Sequence, residues 1–350
     1  MPPAIAAACA KQADFCRFFE APLTGAVCDA SALAFDSSSA AGRAVIGWPG
    51  EPLADALMMR ITGGFNALVR AGRAPELAPL YPPAPLPSVA ALVTAMRSIL
   101  ADPARDAELL LWLASPPQTN EVARSGVLMP GLMTIAAATG LPLRLFELGC
   151  SAGLNLNLDR FGYDLGGLAA GDPLSPVQLK PSWNGPPPPQ ALVSVVDRSG
   201  TDINPLDAPD PAVRERLMAF VWPDQPERVA RAEAAIALAA AFPPPIVRGD
   251  AADWLEHTVA PVPGTASTVF HSIAFQYFPP ATKARIAAHM AAIGAAATPD
   301  APIAWLRFEM DDASAPNLPT LRLTLWHGGP AQEQLLARAH PHGASVTWLA

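Results

Sequence analysis

A glycine-rich turn near the middle of the chain is built from residues that suit ligand binding. The segment GCSAG places Gly149, Ser151 and Gly153 in one short stretch. Small residues let a backbone turn tightly and let a ligand approach it closely. The apolar run LRLFEL at 143–148 predicts a buried parallel strand before the turn, and LNLNLDRF at 154–161 predicts a helix after it. A strand, a glycine turn and a helix start together form a ligand-binding unit.

Three chemistries can be compared at this turn. A dinucleotide fingerprint, G-x-G-x-x-G, would need glycines where the chain has Ser151 and Leu154, so it fails at two of its three glycines. The turn also satisfies G-x-S-x-G, in which Ser151 would be a hydrolase nucleophile on a strand-to-helix elbow. In a methyltransferase-type turn, an acidic residue two positions before the first glycine accompanies the loop against S-adenosylmethionine. Glu147 stands at that position.

A serine hydrolase would also need an acid and a histidine later in the chain. Asp311 and either His340 or His342 follow Ser151 in the right order. An α/β-hydrolase places several strands before its nucleophile, whereas the first 140 residues here predict helices and contain no HGGG-like oxyanion segment. The sequence therefore favours the methyltransferase interpretation, with a hydrolase or a non-catalytic binding module as alternatives.

Acidic residues follow two later predicted strands. Asp202 comes after the apolar run at 192–196, where an ionised carboxylate could accept hydrogen bonds from both hydroxyls of a nucleotide ribose. Asp197 is the nearby alternative for the ribose contact. The structural alternative is that the aspartate only caps a turn. Asp250 follows a short strand at 246–247 and suits a contact to an adenine amino group.

His271 lies at the end of the fourth predicted strand, in the region where open α/β sheets bind ligands. An imidazole with an unperturbed pKa of about 6.5 could hold a cofactor or accept a proton near neutral pH. Tyr277 is a further catalytic candidate, and Gln276 and Tyr277 are candidates for substrate binding. A hydrogen-bonded structural histidine is the alternative. If His271 is functional, His271→Ala should fold with a melting temperature near wild type and lose cofactor affinity or turnover.

The segment PPQTNEVARS at 116–125 concentrates polar residues just before the first predicted strand. Asn120 and Glu121 are candidates for substrate binding, and Glu121 is also a catalytic candidate. The alternative is a capped, solvated helix start. The spacing alone does not decide between the two.

Residues 4–140 have the pattern of helices. Ser88 can cap a helix whose apolar residues follow the i, i+3, i+4, i+7 spacing. Gly140 is a good left-handed residue at the end of a later helix. Gly63, Gly64 and Gly72 predict breaks between helices in the middle of this region.

The predicted strands place an α/β domain after these helices. Six of them lie at 143–148, 192–196, 246–247, 302–310, 321–327 and 344–349, and the segment 267–278 supplies the fourth strand, which ends at His271 and Ser272, together with its polar tip. The order predicts a mostly parallel sheet with an antiparallel C-terminal edge. We therefore expect a helical N-terminal domain or lid at 1–140 and a cofactor-binding domain at 141–350, with a proline- and glycine-rich insertion at 163–190.

Composition narrows the class of partner. The chain is 51% hydrophobic and 15% charged, which is typical of a well-buried enzyme rather than a disordered chain. A formal net charge of -8 without a basic run argues against nucleic acid and anionic membrane, so a small-molecule substrate is expected. The N-terminus has no cationic region before its short apolar run, which predicts a cytoplasmic protein. The four cysteines show no C-x-x-C spacing, so free thiols and no metal site are expected.

Four segments together resemble the successive strand-end motifs of Rossmann-like S-adenosylmethionine-dependent methyltransferases. They are ELGCSAG at 147–153, GTDINP at 200–205, RGDAADWL at 248–255 and VFHSIAFQYFPP at 269–280. With QTNEVARS, VWPDQPER and the terminal ARAHPHG included, nearly the whole chain also resembles the bacterial family called domain of unknown function 2332.

The methyltransferase resemblance implies a Rossmann-like, methyltransferase-type sheet and S-adenosylmethionine as the cofactor. It implies that the glycine turn surrounds the methionine part of the cofactor, that Asp202 binds the ribose and that Asp250 lies beside the adenine. The implied activity is methyl transfer to a small molecule that neither resemblance identifies. The full expected cofactor set is Glu147, Gly149, Ser151, Gly153, Asp202, Asp250, Ala251 and His271.

Overall fold

The computed structural model describes residues 1–313, 315 and 318–350. These residues form two compact units, each made of two chain segments. Unit 1 comprises Met1–Thr119 and Pro211–Glu233, and unit 2 comprises Asn120–Asp210 and Ala234–Ala350.

The described residues form eleven α-helices: α1 (Pro3–Phe18), α2 (Pro22–Ala34), α3 (Ala40–Ile46), α4 (Leu57–Arg70), α5 (Val89–Leu100), α6 (Pro103–Ala114), α7 (Ser125–Thr139), α8 (Pro211–Ala219), α9 (Pro226–Ala241), α10 (Ala251–Thr258) and α11 (Pro280–Ala295). They also form twelve strands: β1 (Leu143–Leu148), β2 (Gly162–Leu165), β3 (Leu168–Gly171), β4 (Gln178–Leu179), β5 (Ser182–Asn184), β6 (Val195–Asp202), β7 (Ile246–Arg248), β8 (Ala266–Ser272), β9 (Ile303–Glu309), β10 (Thr320–Trp326), β11 (Gln332–Ala339) and β12 (Ser345–Trp348).

Unit 1 is helical, as its sequence predicts. The helices α1 and α2 pack together, α2 packs on α5, and α4 packs on α6 and α8. Their apolar faces form one buried core that includes Phe35, Phe65 and Met96. The prediction for the start of α5 is confirmed, because the Ser88 hydroxyl accepts a hydrogen bond from the Ala91 amide at 3.2 Å.

Two glycines of unit 1 do not break a helix as predicted. Gly63 and Gly64 lie inside α4. A Cβ atom at Gly63 would lie 2.6 Å from the Phe220 ring, and one at Gly64 would lie 3.0 Å from Leu109. The prediction was wrong because these glycines allow neighbouring helices to approach closely, which outweighs their low helix propensity.

Unit 2 contains a nine-stranded sheet in the order β5-β12-β11-β10-β9-β8-β1-β6-β7. The five neighbouring strands β9, β8, β1, β6 and β7 run parallel to one another. Each of β9, β10 and β11 is antiparallel to the strand that follows it in the chain, and β5 is parallel to β12 at the edge. The prediction of a mostly parallel sheet with an antiparallel C-terminal region is confirmed. The helices α10 and α11 share a buried apolar cluster with one face of the sheet.

The helix α7 packs on β9, β10 and β11 within unit 2. Gly131 of α7 lies against Leu306 of β9. The stretch Val122–Thr139, which contains α7, is long and apolar enough to cross a membrane, and 72% of it is buried inside the protein. Such burial is typical of a core helix. It also explains why the division into units falls before α7 rather than at residue 140.

The sequence places two strands of unit 2 incorrectly. β6 begins at Val195 and ends at Asp202, whereas the apolar run was expected at 192–196. Leu192 is 90% exposed, and the backbone pairing with β1 sets the strand instead of local hydrophobicity. β11 was missed because its first residues, Gln332 to Gln334, are polar and exposed.

Two other irregular segments of unit 2 follow the glycine turn along the chain. The insertion at 163–190 contributes to a small sheet in the order β3-β2-β4 and supplies β5 to the large sheet. The residues Leu154–Arg160 form a 3-10 helix with a kink at Asn157, not the α-helix that the sequence predicts. The turn therefore leads into a tight, short helix.

Candidate functional site

The carboxyl ends of the parallel strands bring the sequence-predicted residues to one edge of the sheet. From β1 the chain continues to β6 and β7 on one side, and β8 and β9 lie on the other side of β1. The strand order therefore reverses between β1 and β8. In open α/β sheets, ligands bind outside the carboxyl ends of the strands at such a reversal.

The glycine turn at the end of β1 has an unusual backbone. Gly149, Ser151 and Gly153 all have positive φ angles, of 69°, 54° and 66°. This left-handed conformation is easy for glycine and costs energy for serine. A Cβ atom at Gly149 would also lie 2.8 Å from the Cβ of Ala274, so the turn packs closely against the loop after β8.

Asp202 fastens the turn to the end of β6. One of its carboxylate oxygens accepts a hydrogen bond from the Ser151 amide at 2.8 Å, and the other accepts one from the Asn204 amide at 2.8 Å. A carboxylate has about four acceptor positions, so two remain for a ligand. Asp197 lies near the start of β6 and forms an ion pair with Arg144 at 3.0 Å. Of the two acids, only Asp202 lies at the carboxyl end of the strand.

Glu147 places a carboxyl group in the interior beside this turn. Its side chain is 2% exposed, and its Oε2 atom has no hydrogen-bond partner among the described residues. Burial raises its pKa well above the usual value, the nearby Asp202 raises it further, and Arg124 opposes them. The pKa of the neighbouring Cys150 thiol is also raised, by burial and by the charges of Glu147 and Asp202.

Ser151 shows no sign of being an activated nucleophile. Its hydroxyl is buried and makes no hydrogen bond to any histidine in the part of the chain that the structure describes. Asp311, the acid of the hydrolase alternative, is hydrogen-bonded to Thr320 and forms an ion pair with Arg322 at 2.9 Å. A serine nucleophile needs a base within hydrogen-bonding reach, and Ser151 forms no such contact with the described residues.

Asp250 caps the helix that follows β7. One carboxylate oxygen accepts hydrogen bonds from the amides of Ala252 at 2.9 Å and Asp253 at 3.1 Å. The other accepts from the Thr282 hydroxyl at 3.1 Å. Ala251 is the buried first residue of α10. The carboxylate of Asp250 therefore already stabilises the N-terminus of α10, and its contact with adenine stays a prediction.

His271 is completely buried on β8, with a partner on each ring nitrogen. Nε2 accepts a hydrogen bond from the indole N–H of Trp305 at 3.1 Å. Nδ1 must then carry the proton, which it donates to Glu309 at 2.7 Å. The ring also stacks on Phe275, with centroids 4.7 Å apart.

Glu309, at the end of β9, connects His271 to the loop that follows β8. The same Oε1 atom accepts hydrogen bonds from the amides of Ala274 at 3.0 Å and Phe275 at 3.1 Å. The 3-10 helix Phe275–Tyr277 in this loop carries the substrate candidates Gln276 and Tyr277, and the Tyr277 side chain is 77% exposed. Glu309 was missed as a site residue. The sequence could have indicated it, because Glu309 is an acidic residue at the end of the strand that follows the strand of His271.

Asn120 and Glu121 lie beside the exit from the glycine turn. The Asn120 side chain accepts a hydrogen bond from the Leu154 amide at 2.9 Å, so it caps the 3-10 helix after the turn. Glu121 is buried and accepts a hydrogen bond from the Ala123 amide at 3.1 Å. The structure thus brings both residues to the site, where the side chain of each accepts a hydrogen bond from a backbone amide. Their roles toward a substrate stay predictions.

The carboxylates at this edge do not form a metal site. Within residues 1–313, 315 and 318–350, no group of three or more His, Cys, Asp or Glu side chains could hold a metal ion.

Comparison with known proteins identifies a family but no relative of known activity. Residues 6–348 match the model of a family described as "Uncharacterized protein conserved in bacteria (DUF2332)". No curated protein and no solved structure matches the chain.

Proposed function

Because the chain belongs to the bacterial family of domain of unknown function 2332, whose description gives no activity, we propose its function from the site: an S-adenosylmethionine-dependent methyltransferase that acts on a small molecule. One observation carries the proposal. The turn at the end of β1 combines left-handed glycines with a buried carboxyl group, Glu147, whose Oε2 has no partner among the described residues.

The residues at the strand ends fit the chemistry of this cofactor. The cofactor has a cationic amino acid portion, a ribose and an adenine, and it needs no phosphate clamp. Glu147 offers an unpartnered acceptor on one side of the turn, and Asp202 keeps acceptor positions for two ribose hydroxyls on the other. Asp250 and Ala251, at the end of β7, are the proposed neighbours of the adenine, with Asp250 also capping α10.

The cofactor supplies an activated methyl group on a sulfonium cation. The protein has to hold the acceptor in line with that methyl group, exclude water and, for a hydroxyl or amine acceptor, remove a proton. Tyr277 and Glu121 are candidates for this proton transfer, since one is exposed on the loop after β8 and the other lies beside the turn. His271 could take part only if the Trp305 hydrogen bond to its Nε2 broke.

Two alternatives predict different behaviour. A serine hydrolase at Ser151 is not favoured, because the Ser151 hydroxyl lacks a histidine partner in the described part of the chain. A non-catalytic module would bind the same cofactor and transfer no methyl group to any acceptor. Cofactor binding is therefore the first property to measure.

Calorimetric titration of the purified protein with S-adenosylmethionine, its demethylated product S-adenosylhomocysteine, and NAD tests the proposal. We expect the first two to bind and to raise the melting temperature, because a ligand that binds only the folded state stabilises it. NAD should not bind, since the turn lacks two of the three fingerprint glycines. Failure of both S-adenosyl compounds to bind would rule out the proposed function.

A further inference from the structure

Burial and the nearby Asp202 disfavour a negative charge on the Glu147 carboxyl group, and Arg124 favours it. On β6, the register partner of Glu147 is Gly200, and Asp202 is the acid near it at the end of that strand. In the turn, a charge on Glu147 raises the pKa of the buried Cys150 thiol. From the 3-10 helix Val122–Arg124, Arg124 is the one cation found to act on it in the described part of the chain.

The neighbouring strand β8 adds no compensating charge. The register partner of Glu147 on β8 is Phe270. The titratable His271 follows Phe270 and therefore points to the opposite face of the strand. Arg124 directs two of its N–H groups to the carbonyl oxygens of Pro341 and Ser272, both at 3.0 Å.

A buried carboxylate is stable only when its oxygens are paired or hydrogen-bonded. Glu147 is 2% exposed, its Oε2 has no hydrogen-bond partner among the described residues, and Asp202 is a second acid nearby. Burial and a like charge both favour the neutral carboxylic acid. The raised pKa of Glu147 agrees with this geometry.

We infer that Glu147 carries a proton in the ligand-free protein and releases it when the ammonium group of the ligand's amino acid portion binds beside it. In this exchange the O–H bond of the carboxylic acid breaks, the proton passes to the solvent, and a carboxylate–ammonium pair forms. The inference rests on the proposed function and adds a proton-coupled step to ligand binding.

Proton release makes the affinity depend on pH. When binding requires the loss of one proton, the association constant rises about tenfold per pH unit over the range in which Glu147 is protonated. The rise ends where the amino group of the ligand itself loses its proton. We expect this slope for S-adenosylhomocysteine, which carries the amino acid portion. We expect no such slope for 5′-methylthioadenosine, which carries the adenosine without it.

Calorimetry at about pH 6.5, in two buffers that differ in enthalpy of protonation, measures the exchange directly. S-adenosylhomocysteine should release about one proton per site, and 5′-methylthioadenosine should release none. Glu147→Gln, which has no proton to lose, should abolish the release. Asp197→Asn is the matched control at the other end of β6, where the carboxylate pairs with Arg144, and it should keep the release unchanged.

The outcomes separate this inference from the proposed function. Binding of S-adenosylhomocysteine to the wild type without proton release would overturn the inference and leave the function standing. Release that persists in Glu147→Gln would assign the proton to another group and also overturn it. Failure of S-adenosylmethionine and S-adenosylhomocysteine to bind would overturn both. The wild-type measurement in two buffers decides the matter even if the variant does not fold.

Discussion

The carboxyl end of β1 and the carboxyl ends of β8 and β9 are both buried and polar, yet they satisfy their polar groups differently. At β1, the Oε2 atom of Glu147 and the hydroxyl of Ser151 have no hydrogen-bond partner among the described residues. At β8 and β9, both ring nitrogens of His271 have protein partners and the Oε1 atom of Glu309 accepts three hydrogen bonds, although the Oε2 atom of Glu309 has no partner among the described residues. Buried polar groups in proteins are nearly always hydrogen-bonded, so unpaired ones need an explanation.

The comparison supports the proposal that the β1 end is prepared for a ligand, while the β8 and β9 ends hold the scaffold. An unpaired buried acceptor costs folding free energy, which a ligand can recover on binding. The His271 ring has already made its hydrogen bonds, and Glu309 uses its Oε1 atom to hold the loop after β8 as well. We therefore propose ligand binding at the β1 end, whereas the β8 and β9 ends position the loop after β8.

The largest effect is expected at His271. His271→Ala would leave a cavity beside Phe275 and remove a partner from both Trp305 and Glu309. We expect the free energy of unfolding to fall by about 3 to 5 kcal/mol, as measured by urea denaturation. This differs from the expectation from the sequence, which was a melting temperature near wild type.

A surface histidine supplies the control for this experiment. His257 is exposed on α10, and His257→Ala should change the free energy of unfolding by less than about 0.5 kcal/mol. If His271→Ala were as stable as the wild type and lost cofactor affinity, the assignment of the two strand ends would have to be reversed.

The next effect is expected at Asp202. Asp202→Ala removes acceptors for the ribose hydroxyls, the hydrogen bond from the Ser151 amide that holds the turn to β6, and the local hydrogen bond from the Asn204 amide. We expect the binding free energy of S-adenosylmethionine to weaken by about 1 to 3 kcal/mol, measured by calorimetry below the melting temperature. Asp197→Ala serves as the control and should bind as the wild type does. An equal loss in both variants would show that Asp202 has no special role.

A smaller effect, with a characteristic pH dependence, is expected for Glu147→Gln. Below the usual glutamate pKa of about 4.3, Glu147 is protonated in both the folded and the unfolded chain, so it adds no pH dependence. Above that value the unfolded chain loses the proton while the folded chain keeps it, because the folded-state pKa is raised. The free energy of unfolding of the wild type then falls as pH rises, until the folded-state pKa is reached.

The variant lacks this ionisation, so its advantage over the wild type should widen as pH rises above about 4.3. Denaturant titrations of both proteins between about pH 4 and about pH 8 measure the gap. A gap that stays constant with pH, or that closes as pH rises, would show that Glu147 is ionised in the folded protein.

The smallest effect on stability is expected at Ser151. Ser151→Ala removes a buried hydroxyl that has no partner among the described residues, so the free energy of unfolding should stay the same or rise by at most about 1 kcal/mol. A fluorophosphonate probe should leave wild-type Ser151 unlabelled, because no histidine activates it. Stoichiometric labelling that Ser151→Ala abolishes would instead establish a hydrolase.

Local sequence patterns were sufficient for β1, which leads into the turn, and for the start of α5 in unit 1. The apolar run of β1 gave both of its ends correctly, and Ser88 marked the start of α5. Local patterns failed where tertiary packing decides. Gly63 and Gly64 lie within α4 because Phe220 and Leu109 approach them, and β11 begins with polar residues that pair with β10.

The sequence by itself determined which polar residues stand at the strand ends, because turn residues and apolar runs act over a few positions. Glu147, Asp202 and His271 were all found in this way. Only the tertiary structure decided which of their atoms have partners. Trp305 and Glu309 come from the next strand, 34 and 38 residues after His271, and no local pattern specifies such a pairing. The raised pKa of Glu147 likewise comes from burial and from Asp202, because desolvation and Coulombic repulsion depend on distance in space rather than along the chain.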